Sequence, residues 1–383
     1  MCKRVGIITI VKVNNYGAEL QAFATQKALQ YLGYEAEIID YLFYKNPRHK
    51  ATKKSAPVFR LSFKIKLAEW LYPKLSFVRR ALQHNTADGI RRQKFSQFHK
   101  DNTHFSNEYP TIESLYEANM NYDAYIAGSD QVWNPNNYTS LDPYFLKFAP
   151  KDKRRISYAS SFGVSELPEQ TKAYYREALL GLNVVGVREE NAVQLVEDVA
   201  GVKAEWVLDP TLLLEGKEWM KYAKEVEGIT EKYVLLYEIT PCPYIKQLAL
   251  HVAKEIDSNV VRINREAVRE ESDDEVINVM DAGPAEFIWL FAHAKAVVTN
   301  SFHGTAFSLI MEKDFFVVTP ARKQNNSRQK SLLRLVGLED RQISEGASMP
   351  DREVISINYD RPRVLLAEAR EKSKNYLKKA IDG

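Results

Sequence analysis

Apolar positions along this chain follow two spacings in turn. Val5 to Val11 is an apolar run that predicts a buried strand, and a polar loop over 12–19 follows it. Leu20, Phe23, Ala24, Ala28 and Tyr31 then recur at helical spacing and mark the inner face of a helix. Gly33 suits the helix C-cap, and Ala36 to Tyr41 reads as a second strand. The same β-α-β pattern returns with short strands at 124–127, 156–159, 184–187 and 206–208. A second run begins at 233–237 and continues through 260–263, 296–299 and 315–319, with helices near 244–256 and 284–294. Strands alternating with helices argue for largely parallel sheets. The charged stretch 215–232 separates the two runs, and 361–381 reads as a charged amphipathic helix. The expected class is α/β, with two Rossmann-like domains facing a cleft. Residues 1–215 form the first, 216–345 the second, and 346–383 a helical tail.

Composition bounds what such a chain can do. At 383 residues, 45% apolar and 11% aromatic, it can bury more than one core. No run of about 18 consecutive apolar residues occurs, so no membrane span is expected. Lys3 and Arg4 precede an apolar run that is too short for a secretory signal. Cys2 and Cys242 are the only cysteines. Two give no disulfide framework or cysteine metal site, and they suit a reducing cytoplasm. His49, His84, His99, His104, His251 and His293 lack metal-ligand spacing, so no metal is expected.

The net charge of +3 conceals an asymmetry. Residues 45–100 carry 15 Lys or Arg against Glu69 and Asp88, a balance of 15 − 2 = +13, which leaves 3 − 13 = −10 for the rest. Apolar and aromatic residues (Phe59, Leu61, Phe63, Trp70) interleave with Arg60, Lys64, Lys66 and Lys74 in this block. That mixture suits an anionic membrane surface, and it equally suits a solvated helical insertion packed on the first domain. No nucleic-acid-binding motif accompanies the charge.

Candidate chemistry falls where strands end. Phe302-His303-Gly304-Thr305 lies between the strand 296–299 and a helix-like segment, at the carboxyl edge where α/β sheets place ligands. Gly304 leaves room for close approach, the opening N–H groups favour an anion, and His303 can move a proton at neutral pH. Asn14, Asn15, Tyr16 and Gly17 follow the first strand; they either bind an acceptor or donor group or form a capped β-α turn. They do not fit the G-x-G-x-x-G nucleotide fingerprint. Gly128-Ser129-Asp130-Gln131 follows the strand at 124–127. Asp130 is placed to accept a proton, Ser129 and Gln131 to bind sugar hydroxyls, and Trp133 to stack on a sugar face; the competing reading makes Asp130 an N-cap and Trp133 core. Ser160, Ser161 and Gly163 suit either an anion cradle or a polar turn. Arg188, at the end of the strand 184–187, suits bidentate binding of carboxylate or phosphate, or a simple pair with Glu189 or Glu190.

Asn14-Asn15-Tyr16-Gly17-Ala18, Gly128-Ser129-Asp130-Gln131-Val132-Trp133, Val187-Arg188, Asp209-Pro210-Thr211 and Asn300-Ser301-Phe302-His303-Gly304 occur in the order seen in polysaccharide pyruvyl transferases, which the chain resembles over roughly residues 5–338. The resemblance implies a fold like that of GT-B glycosyltransferases. It also implies transfer of a pyruvyl group from phosphoenolpyruvate to a sugar, as a ketal across two hydroxyls, with release of phosphate. On this reading the first domain is the acceptor side, with Asn14, Asn15, Tyr16, Gly17, Ser129, Gln131 and Trp133, and the second is the donor side. Arg188, Arg328, Ser301, Gly304, Ser160 and Ser161 bind the donor, while His303 and Asp130 are catalytic. Several family members carry Arg two positions before the histidine, where this chain has Ser301; Arg328 or Arg322 is the expected substitute. The implied acceptor is a hexose, galactose foremost, on a polyprenyl diphosphate, and the implied location is cytoplasmic, at the inner face of the plasma membrane. A nucleotide-sugar glycosyltransferase and a non-catalytic partner in polysaccharide assembly are the competing functions.

Overall fold

Strands buried on both faces must be apolar at nearly every position, and the central strands of this chain are. The structure, a computed structural model, describes residues 2–57, 86–137, 139–229, 232–263, 275–321 and 327–383. The chain divides into two units. The first comprises Met1–Leu82, His99–Leu213 and Ala369–Gly383, the second Gln83–Phe98 and Leu214–Glu368.

The first unit holds a seven-stranded parallel sheet in the order β3-β2-β1-β4-β5-β6-β7. Its strands are β1 (Arg4–Ile8), β2 (Glu35–Tyr41), β3 (Phe105–Tyr109), β4 (Ala124–Ala127), β5 (Arg154–Ser160), β6 (Val184–Val187) and β7 (Ala204–Trp206). Helices α1 (Tyr16–Tyr31), α2 (Ala87–Asn102), α3 (Glu169–Leu180) and α4 (Glu190–Ala200) connect strands of this sheet. Only the end of α2, from His99 onward, belongs to this unit. The chain runs outward from β1 to β3 and then crosses back to β4, so it changes direction between β1 and β4. The loops after those two strands diverge there and leave a crevice at the carboxyl edge.

The second unit repeats the plan with six parallel strands in the order β10-β9-β8-β11-β12-β13. These are β8 (Tyr233–Tyr237), β9 (Asn259–Ile263), β10 (Val276–Val279), β11 (Ala296–Thr299), β12 (Asp314–Thr319) and β13 (Gln342–Ser344). Its helices are α5 (Pro243–Glu255), α6 (Pro284–His293), α7 (Phe302–Ile310) and α8 (Ser327–Val336). The reversal here lies between β8 and β11. Val234, Leu236, Val260 and Val298 pack under Ile245, Leu248 and Val252 of α5.

The α/β class and the two parallel units agree with the sequence reading. The strands it omits are β3, β10 and β13, all at sheet edges, where exposed positions break the apolar pattern. The expected tail of 346–383 is redrawn. Residues up to Glu368 belong to the second unit, and the rest of α9 (Asp360–Asp382) is part of the first. Tyr376 explains why: its hydroxyl donates to the Ser157 carbonyl at 2.8 Å, and its ring lies where a Cβ on Gly186 would stand 2.8 Å away. Ser373 accepts from the Leu208 N–H, Arg154 donates to the Ala380 carbonyl, and Leu377 and Ile381 are buried.

Residues 58–85, half of the basic block and the part that holds its interleaved aromatic residues, lie outside the described residues, and the membrane-docking reading rests chiefly on them. Outside that stretch, Arg48 pairs with Glu108, Arg91 and Arg92 pair with Asp88, and Lys94 reaches Asp281 and Glu286. These four cations have partners within their own units. Among the described residues no helix is long and apolar enough to cross a membrane.

Because Leu377 is fully buried within the first unit, Leu377→Ala is expected to cost about 2–5 kcal/mol, read as a lowered midpoint in urea unfolding.

Candidate active site

Both reversal points carry the polar loops singled out from sequence. In the first unit, β1 leads into Thr9 and the loop to Asn15, and β4 leads into Gly128–Asp130. Thr9 donates to the Ser129 carbonyl, and Gln21 of α1 donates to Thr9 Oγ1 while accepting from the Ser129 N–H at 3.0 Å. The two loops are thus tied through one buried amide. Gly128 is needed where it stands: its φ is 117°, and a Cβ would lie 2.2 Å from the Tyr158 carbonyl oxygen.

Asp130 sits at the rim of this crevice with its side chain 18% exposed and its backbone left-handed at φ 66°. Beneath it lies a buried ionic cluster. Arg188 donates to Asp209 at 2.9 Å, approaches Glu189 at 3.5 Å and reaches toward Asp130 at 3.6 Å. Asp209 also accepts from Ser129 and from both the N–H and hydroxyl of Thr211, and Glu189 accepts from Ser161. Burial alone would lower the Arg188 pKa, but Glu189, Asp209 and Asp130 outweigh it and raise it. With three carboxylates around one guanidinium the cluster is net acidic, which suits hydroxyl groups better than a phosphate.

This geometry corrects several sequence expectations. Arg188, expected to bind the donor, is spent inside the fold, with only 1% of its side chain exposed. Ser160 donates to the Ala127 carbonyl and Ser161 to Glu189, so the anion cradle expected there is a set of internal hydrogen bonds. Ser129 likewise donates to the Ala159 carbonyl and Asp209, and it is fully buried. Trp133 is core: it stacks on Phe145 at 4.9 Å and 8°, and its Nε1 donates to the Tyr144 carbonyl. No face is left for a sugar. Asn15 caps α1, accepting from the Gly17 and Ala18 N–H groups, and Tyr16 and Gly17 are buried behind it. Asn14, Asp130 and the half-buried Gln131, which accepts from Asn134, remain at the edge of the crevice.

In the second unit, β11 ends at Thr299 and α7 begins at Phe302. Ser301 is the N-cap, its hydroxyl accepting from the Gly304 N–H at 3.3 Å. Thr299 bonds the Tyr237 carbonyl, and a Cβ on Gly304 would lie 2.3 Å from the Thr299 hydroxyl; this close approach is why residue 304 is glycine. His303 lies in the first turn of α7, 8% exposed and edge-on to Phe302. Asn300 staples the neighbouring loop, accepting from Ile239 and donating to the Thr240 carbonyl. Gln329 of α8 donates to the Asn300 carbonyl, which brings the N-terminus of α8, and with it Arg328, beside this loop. Arg322 lies outside the described residues.

Glu238 follows β8 at the same reversal point and went unnoticed in the sequence. Burial raises its pKa, while Arg262 and the Cys242 N–H pull the other way without cancelling the effect. Its position in a mixed polar stretch gave no spacing signal. Among the described residues no group of three His, Cys, Asp or Glu side chains could hold a metal.

Two parallel α/β units, each with polar loops gathered at its reversal point, define the class: a two-domain α/β protein of GT-B-like fold. Within that class the chain belongs to the polysaccharide pyruvyl transferase family, whose model matches residues 15–322. No protein of curated function matches it. Solved structures it resembles include UDP-N-acetylglucosamine 2-epimerase from Rickettsia bellii, at 10% identity over 100% of this chain and 97% of that chain, with a TM-score of 0.49. Another is UDP-GlcNAc 2-epimerase from Neisseria meningitidis bound to UDP-GlcNAc, at 11% identity over 99% of each chain, TM-score 0.49. At this level of likeness they carry no inference about activity.

Two outcomes follow from Asp209 and Glu238. Asp209→Ala strands the Arg188 guanidinium and is expected to cost about 3–5 kcal/mol in chemical denaturation. Glu238 has a raised folded pKa, so its contribution to stability is fully present below the ordinary 4.5 and is lost as pH rises through the folded value. Glu238→Gln should therefore gain stability over the wild type near neutrality and lose that advantage in acid, read as Tm against pH.

Proposed function

We propose that this protein transfers a pyruvyl group from phosphoenolpyruvate to a hexose, galactose foremost, on a polyprenyl-diphosphate-linked polysaccharide precursor. The product is a pyruvate ketal and the by-product phosphate. Family membership supports a transferase of this kind. The observation that carries the reading is placement: Asp130 follows β4 and His303 opens α7 after β11, each at the reversal point of its own parallel sheet.

In the first step His303 protonates the methylene carbon of phosphoenolpyruvate, leaving a cationic centre at C2 that the adjacent oxygen stabilises. An acceptor hydroxyl forms a C–O bond to C2 and gives its proton to Asp130. The C2–O bond to phosphate then breaks. A second hydroxyl closes the ketal and its proton leaves with the phosphate. Two hydroxyl protons are lost, one replacing the proton delivered to the methyl group and one leaving on phosphate, so the step balances. The N-terminus of α7 and the Arg328 side chain are the proposed donor anchors, in place of the buried Arg188. The acidic surroundings of Asp130 favour hydroxyl-bearing acceptors. No cofactor enters this scheme. Work at the inner face of the plasma membrane, docked through 45–100, is part of the same proposal.

Phosphate release from phosphoenolpyruvate is to be measured with a panel of lipid-linked and aryl β-galactosides, with mass spectrometry of the sugar product. A mass gain matching a pyruvyl ketal is expected. His303→Ala and Asp130→Asn should each lower turnover by about 100-fold or more with the fold intact. Near-normal turnover in His303→Ala would end its role as proton donor. Failure of the wild type to bind or turn over phosphoenolpyruvate, with binding of a nucleoside diphosphate instead, would replace this reading with a nucleotide-sugar transferase.

A further inference from the structure

The loop after β1 contains two non-glycine residues in left-handed backbone, Lys12 at φ 58° and Asn14 at φ 54°. Each such residue costs of order 1 kcal/mol or more and persists only where its surroundings hold it. One side chain takes the backbone N–H groups of this stretch. Glu19, in the first turn of α1 and fully buried, accepts from the N–H groups of Lys12 at 3.1 Å, Val13 at 2.7 Å and Asn14 at 3.2 Å. Its Oε2 also meets His99 Nε2 at 2.7 Å. A carboxylate can only accept, so His99 is the donor there, and its other ring nitrogen, Nδ1, is buried without a hydrogen-bond partner among the described residues. Among these residues Glu19 is the polar partner of His99, whose ring lies edge-on to Phe105.

A buried carboxylate that collects three consecutive backbone donors acts as an inverted nest: it fixes the loop by its charge instead of being bound by it. Lys12 is further held through its side chain by Asp40 and through its carbonyl by Asn46, so the loop is pinned on both sides while Asn14 stays at the crevice edge.

We propose that Glu19, oriented by His99, is the positioning residue of the acceptor side: it locks residues 12–14 in the strained form that presents Asn14 to the acceptor sugar. This rests on the acceptor-side reading of the first unit given above. Glu19→Gln keeps the size of the side chain but replaces one acceptor oxygen with a donor that faces the Lys12 N–H. In the full chain, amide exchange of a peptide spanning 9–16 is expected to rise about tenfold or more in E19Q. The KM for the galactoside acceptor should rise by about tenfold to a hundredfold, with the KM for phosphoenolpyruvate unchanged. Should E19Q not fold, E19D decides the matter, since it keeps the charge but is a methylene too short to reach three amides at once. Unchanged exchange overturns the lock. Raised exchange with an unchanged acceptor KM, or with both KM values raised equally, overturns the positioning role. A wild type that transfers nothing sinks the transferase reading and the acceptor assignment with it, while the exchange result still decides whether Glu19 holds the loop.

Discussion

A parallel sheet whose chain changes direction must leave two neighbouring strand ends with loops that part from one another, and both sheets here depend on that constraint. Between β1 and β4, and between β8 and β11, the backbone cannot close over the carboxyl edge. The polar groups exposed there need partners, and the chain supplies them from side chains in the next turn of structure. Gln21 joins the loops of the first unit and Asn300 those of the second. The two sheets share one strand order, the first carrying a further strand at its β7 edge, and they solve the same problem with the same chemistry, a buried primary amide that donates and accepts at once.

Charge is handled differently in the two units. The first buries an arginine and surrounds it with carboxylates, of which Asp209 and Glu189 are bonded further to a hydroxyl or N–H, so that little of the positive charge reaches the crevice. Such a cluster is costly to desolvate, and it is tolerable only because each group is paired. Its benefit is geometric, since it joins the ends of β4, β5 and β6 and the loop after β7. The second unit places no carboxylate in the turn that opens α7; backbone N–H groups and a histidine face that end. The acidic and the donor-rich edges are thus on different units.

Much of this architecture was legible because central parallel strands announce themselves as short apolar runs. Positions 124–127, 233–237 and 296–299 were visible for that reason. Edge strands such as Phe105–Tyr109 were not, because half their surface meets water. The site was legible as location rather than role. Residues after a strand end can be found by counting, but whether Ser160 offers its hydroxyl to a ligand or to the Ala127 carbonyl is decided by where another strand lies. Trp133 shows the same limit, since an aromatic beside polar residues reads as a sugar platform until Phe145 covers it. Glu19 and Glu238 escaped notice for a further reason: a carboxylate's partners here are backbone amides or burial itself, which leave no trace in spacing.

The anchoring of Tyr376 beneath Ser157 and Gly186 also sets a timetable for synthesis. The first unit's sheet is complete in sequence at β7, but the helix that covers β5 and β6 is translated only after the whole second unit. At about 5–20 residues per second, the intervening chain takes on the order of ten seconds or more to emerge. During that interval the face that Tyr376 and Leu377 will cover stands open on the nascent chain. The early half must therefore wait, or be shielded, until the last turns of α9 leave the ribosome.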